Sequence, residues 1–165
     1  MSDPAALYER DFHAWTEDQA ATLRAWPEKL RPNALDIEHL AEEIEDLGSA
    51  QRNAVQSLIY QLLLRLLKLG HHPDQAARGH WQNEIDEFRA SLERAFEQSP
   101  SLKARRHELA AREWGRAARR FAMLLDREGR DPERLATGFP AAGQPYFDLD
   151  AEVLNPDWFP PPPAG

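Results

Sequence analysis

Ser57-Leu58-Ile59-Tyr60-Gln61-Leu62-Leu63-Leu64-Arg65-Leu66-Leu67-Lys68-Leu69 decides the fold class of this 165-residue chain. At about 100° per residue, its leucines and its isoleucine cover nearly the whole circumference of a helix. A helix that is apolar all round wants neighbours on several sides. The run therefore predicts the central helix of a bundle or one side of a dimer interface. It does not predict a membrane span. The uncharged stretch within this run, Asn53 to Leu64, has 12 residues, where a span needs about 20.

Upstream of this run, Ile37, Leu40, Ile44, Leu47 and Val55 carry the same helical stripe back to Asp36, a candidate N-cap. Gly70 and Pro73 end the helix, and Gly48-Ser49 is a candidate kink or break within it. Tyr8, Phe12, Trp15, Leu23 and Trp26 share one face, so a first helix is expected over roughly 5–26, stopped by Pro27. Trp81, Ile85, Phe88, Leu92 and Phe96 mark a third helix, broken at Ser99-Pro100-Ser101. A fourth is expected over 101–128, with Leu109, Trp114, Ala117, Phe121 and Leu125 on its apolar side. Short helices around 131–136 and 148–154 follow, the latter capped by Asp148. No stretch alternates apolar and polar residues between turn signals, so no strand is expected. The fold class is all-α: a bundle of about four main helices with a C-terminal segment of short helices and prolines. One helical domain over 5–159 and a proline-rich tail over 160–165 account for the chain.

Hydrophobic residues make up 42% of the chain and charged residues 29%, a balance suited to a globular fold with a well-solvated surface. There is no cysteine, which excludes disulfides, thiolate metal sites and cysteine nucleophiles and permits a reducing compartment. Met1-Ser2-Asp3-Pro4 lacks the basic-then-apolar layout of a signal peptide, so a cytoplasmic location is expected. The net charge is −8, but it is unevenly spread: residues 1–50 carry −8, 51–130 carry +5 and 131–165 carry −5. A basic centre between acidic ends predicts charge pairing within the fold, or faces of opposite sign.

Two constellations stand out. Glu43 projects about 40° from Leu47 on the helical wheel, at the margin of the apolar stripe, with Glu42 beside it. Their carboxylates are candidates for a general base or metal ligand, or for a boundary pair with a base. Arg89, beside the aromatic stripe of the third helix, and Arg65 and Lys68, interrupting the leucine run, are the nominated partners. Gln19 falls within the aromatic face of the first helix and needs a hydrogen-bond partner there. The expected buried polar cluster is thus Gln19, Glu42, Glu43, Lys68 and Arg89. Two adjacent histidines, His71-His72, sit in a turn and are expected to face solvent. No Glu-x-x-His pair occurs, so no metal site is assigned and no cofactor is expected.

The second constellation is a stripe of arginines on the fourth helix: Arg105, Arg112, Arg116, Arg119, Arg120 and Arg127, opposite Trp114 and Phe121. Its simplest reading is a solvated face. The alternatives are pairing with the chain's own acidic ends, or binding an external anion such as nucleic-acid phosphate. No aromatic residue interleaves with these arginines, so a stacking platform for single strands is not favoured.

Tyr8-Glu9-x-Asp11-Phe12-x-x-Trp15-x-x-x-Gln19, followed by Leu40-Ala41-Glu42-Glu43-Ile44-Glu45-Asp46-Leu47-Gly48, resembles the bacterial family called domain of unknown function twenty-nine. Leu66-Leu67-Lys68, Pro73, Trp81, Ile85, Arg89, Ser99-Pro100-Ser101-Leu102 and Pro145-Tyr146 continue the match in order, over roughly 6–159. The resemblance implies a helical bundle and carries no established activity. Two positions depart from the family pattern: Arg65 stands where it tends to have His, and Gln144 where Cys often precedes Pro-Tyr. No nucleotide-binding glycine loop and no nucleophile motif occurs in the chain. The favoured function is a non-enzymatic, antitoxin-like interaction or regulatory module that binds a protein, with a second copy of the chain among the candidates. The alternatives are nucleic-acid binding through the arginine stripe and an enzyme built on Glu42, Glu43 and Arg89.

Overall fold

The computed structural model describes residues 3–131 and 145–163. Six α-helices follow in order: α1 (Pro4–Arg10), α2 (Phe12–Ala25), α3 (Ile37–His71), α4 (Arg78–Gln98), α5 (Pro100–Ala104) and α6 (Arg106–Arg127). A 3-10 turn at Glu28–Leu30 and a π turn at Leu149–Val153 complete the elements, and the described residues include no strand. The fold is all-α, as the periodicity of the sequence implies. None of these helices is long and apolar enough to cross a membrane. The expected helix around 131–136 lies outside the described residues.

The chain forms two compact units, one of residues 1–55 with 94–105 and the other of residues 56–93 with 106–165. In the first unit the expected single helix over 5–26 is two, because Asp11 leaves the helical conformation at φ −153° and caps α2. The apolar stripe continues across this break: Tyr8, Phe12 and Trp15 pack as an aromatic trio with ring centroids 4.9–5.9 Å apart. Asp36 supplies the expected cap of α3, accepting from the His39 N–H at 3.3 Å. Gly48 does not break α3, which runs 35 residues without interruption. Its missing side chain instead lets α2 approach, since a Cβ there would overlap Thr16 Oγ1. Gly48→Ala is therefore expected to cost about 2 kcal/mol through overpacking, despite the better helix propensity of alanine. Adding Thr16→Ala removes the overlapping atom. The double variant should denature within about 1 kcal/mol of the wild type; a double variant as unstable as the summed singles contradicts this packing.

In the second unit the leucine run is the core. Ile59, Leu62, Leu63, Leu66, Leu67 and Leu69 are each at most 1% exposed. Ile85 and Leu92 of α4, Leu109, Phe121 and Leu125 of α6, and Val153 of the π turn are equally buried. Each such side chain contributes about 1.5–3 kcal/mol on burial, which explains why this part of α3 tolerates an apolar circumference. The expected fourth helix divides at Arg105, the C-cap of α5, into α5 and α6. Asp148 caps the π turn through the Ala151 N–H at 2.7 Å, in the place the sequence suggested. Pro160 is buried, and its carbonyl accepts from Arg78 at 2.7 Å, so it is part of the packed unit.

Candidate functional site

The residues expected to form one buried polar cluster go to different environments. Gln19 is half-buried and donates to Asp18 at 3.1 Å. Glu42 and Glu43 are exposed on α3, because the buried side of that segment is lined by Ile37, Ala41, Gly48 and Val55. Leu40 and Leu47, which set the phase of the sequence reading, are themselves 42% and 54% exposed. Arg89 is buried and takes main-chain carbonyls, not a carboxylate, as its hydrogen-bond acceptors. It donates to Val153 O at 2.9 Å, Glu152 O at 3.0 Å and Trp158 O at 2.8 Å, with its guanidinium 5.1 Å from the Phe159 ring centre. Asp86 lies 4.0 Å from its guanidinium. Arg89 is thus a clamp on the C-terminal segment, and the expected pairing with Glu43 is replaced by this clamp.

Other motif residues are likewise taken up by architecture. Asp11 accepts from the Ala14 N–H at 3.0 Å, from the Ser101 N–H at 2.7 Å and from the Ser101 hydroxyl at 2.8 Å. One carboxylate therefore caps α2 and holds the start of α5. Ser99 accepts from the His13 N–H at 3.0 Å and donates to Gln51 Oε1 at 2.9 Å, joining α2, the break after α4, and α3. Burial holds the His13 imidazole below the usual histidine value, with Glu17 opposing it. The Tyr-Glu-x-Asp-Phe and Ser-Pro-Ser motifs meet here, 90 residues apart in sequence.

His71 and His72 do not face solvent. His71 is half-buried against Phe147 and is pushed down by burial, while His72 is 8% exposed and bonds Glu128 Oε2 at 2.9 Å. The His72 bond holds the Glu128 carboxyl below the usual range. Arg65, at the position that departs from the family pattern, donates twice to Glu84 and likewise lowers its carboxyl. Lys68 is half-buried with its ammonium 6.0 Å from the Trp81 ring centre. Burial first, then the Arg65 charge, hold it below the usual lysine value; Glu84 and Glu128 oppose this and Arg120 adds to it.

Five of the six expected arginines share one side of α6. Arg112, Arg116, Arg119 and Arg127 are exposed and Arg120 is half-buried. Arg105 lies outside the stripe, in the turn that ends α5. Met123, 50% exposed, sits in the middle of the face. Arg116 lies 4.6 Å over the Tyr60 ring and donates to Glu113 at 3.4 Å; Arg112 is 3.9 Å from Glu108. The opposite side of α6 buries Ala110, Trp114, Ala117, Phe121 and Leu125, which fixes the arginines outward.

A cavity of about 250 Å³ is lined by His107, Ala110, Trp114, Pro145, Phe147 and Leu149, among others. At its edge Asp150 accepts from Arg106 at 2.7 and 2.9 Å and lies 3.0 Å from His107 Nε2. The Arg106 pair holds the Asp150 carboxyl below its usual range. Sequence reasoning did not single out this trio. Its signal was the adjacent Arg106-His107 and the acidic segment at 148–152, far apart in the chain. The carboxylate is already neutralised, and among the described residues no serine, threonine or lysine lines the cavity. Among the described residues no group of three or more His, Asp or Glu is placed to hold a metal ion.

The sequence matches, over residues 7–159, the model of a family described as domain of unknown function DUF29. An α-helical protein of unknown function from Rhodospirillum rubrum, known from a crystal structure, superposes with a TM-score of 0.69 at 26% identity. The match covers 92% of this chain and 90% of that one. No curated protein matches the sequence.

Proposed function

The chain belongs to the family described as domain of unknown function DUF29, and we propose that it works as a protein-interaction module that docks an acidic helical partner on the arginine face of α6. The carrying observation is the composition of that face. Arg112, Arg116, Arg119 and Arg127 are exposed around the exposed Met123. An apolar spot ringed by cations suits an amphipathic acidic helix, with burial at the centre and paired charges at the rim. The motif residues Asp11, Ser99, Ser101 and Arg89 support the reading from the other side, because their polar groups are occupied in holding helices together.

A fluorescent, glutamate-rich helical peptide with leucines at i and i+7 tests this. Binding should weaken at least about tenfold in R116E/R119E. It should also fall as salt is raised from about 50 to about 300 mM, since rim charges are screened. Peptide binding that ignores both changes overturns the proposal. So does a duplex oligonucleotide that binds more tightly than the peptide and is released by the same reversal.

A further inference from the structure

The first half of α3 exposes a seam of its own. Leu40, Glu43, Leu47, Ala50 and Ala54 are all exposed, and their spacing of three, four, three and four residues is that of a coiled-coil face. Glu42 and Asp46 flank it, also exposed. The acids on the other flank, Glu38 and Glu45, are held by Arg24 within the first unit. No lysine or arginine occurs from Ile37 to Gln51, and Arg52 lies near the far end of the seam.

The arginine face of α6 has the matching pattern with the opposite sign. Arg112, Arg116, Arg119 and Met123 follow one another by four, three and four residues, with Arg120 and Arg127 beside them. At 1.5 Å per residue, the α3 seam from 40 to 54 is about 21 Å long and the α6 face from 112 to 127 about 22 Å. The small Ala50 and Ala54 leave room for long side chains, and Leu40 and Leu47 offer Met123 an apolar counterpart.

Resting on the reading that the α6 face takes an acidic helix, we propose that this helix is the α3 seam of a second copy of the chain. Charge decides between the pairings open to two copies. Packing α3 against α3 brings Glu42, Glu43 and Asp46 against themselves, and α6 against α6 brings arginine against arginine; both are repulsive. Of these three pairings, α3 against α6 of the other copy is the one that brings opposite signs together, at Glu42, Glu43 and Asp46 in the first half of the α3 seam. Two such contacts related by a twofold axis close a dimer, and a single one adds copies end to end.

The test uses sedimentation equilibrium of the full chain and two charge-reversed variants, each checked for wild-type helicity. The wild type should show a mass above one chain that falls with dilution and with salt. R116E/R119E and E42R/E43R/D46R should each weaken self-association at least about tenfold. Mixing these two variants should restore it, because each then offers the seam the other needs. A wild type that stays a single chain at every concentration overturns the inference, as does association untouched by either reversal or a mixture that stays apart. If the single chain still binds the acidic peptide, the α6 reading stands and only the second copy is wrong. If it binds neither, both fall.

Discussion

Arg89→Met is expected to lower the melting temperature by about 10 °C. The guanidinium is buried and donates to three carbonyls of the segment ending at Trp158. Hydrogen bonds to a charged group are worth about 1.5–3 kcal/mol each when broken. Methionine keeps most of the volume, and loss of a buried charge recovers some desolvation energy. A net loss of about 3 kcal/mol follows, and for a chain of this size each kcal/mol is about 2–4 °C. Arg89→Lys should recover little, because one ammonium cannot reach three carbonyls presented to a planar fork. The damage should be local at first. The stretch Phe147–Trp158, whose rings meet at 5.4 Å, should become sensitive to protease in Arg89→Met before the helices melt. A variant with wild-type melting and an uncut C-terminal segment would show that the clamp is dispensable.

Asp11→Ala should cost about as much, for a different reason. It leaves the Ala14 and Ser101 N–H groups without their acceptor and strands the Ser101 hydroxyl. A lost N-cap is worth about 1 kcal/mol, and each further buried donor left unsatisfied about 1–3 kcal/mol. About 3 kcal/mol in total is expected, read by urea denaturation with an unchanged m-value. Asp11→Asn keeps one carbonyl oxygen and should lose about half as much. Equal losses in the two variants would mean that the charge, not the capping geometry, holds the site.

The contrast between α3's two halves shows what the sequence could and could not reveal. Leu62 to Leu69 was legible because apolar side chains on every side of a helix have only one stable destination. The first half misled for the complementary reason. Leu40 and Leu47 are large and apolar yet exposed, while Ala41 and the side-chain-free Gly48 face the interior. Hydrophobicity alone does not say which side is buried when close helix approach selects small residues. Glu43, phased against Leu47, was therefore assigned inward and is exposed. Arg89 is buried, and its acceptors are backbone carbonyls some 60 residues away, which side-chain patterns cannot show. Five of the six arginines on α6 were placed together because a helical wheel needs only local geometry; Arg105 was lost because the helix boundary fell one residue after it.

The division between motif residues that hold the fold and surface residues that bind is tested most directly by measuring acidic-peptide affinity and melting temperature together, for Arg89→Met and R116E/R119E. Below its lowered melting temperature, Arg89→Met should bind within about twofold of the wild type. R116E/R119E should melt within about 2 °C of it, as exposed substitutions do, while losing at least about tenfold in affinity. The reverse pattern, with peptide binding lost in folded Arg89→Met and kept in R116E/R119E, would contradict the assignment of the α6 face as the binding surface.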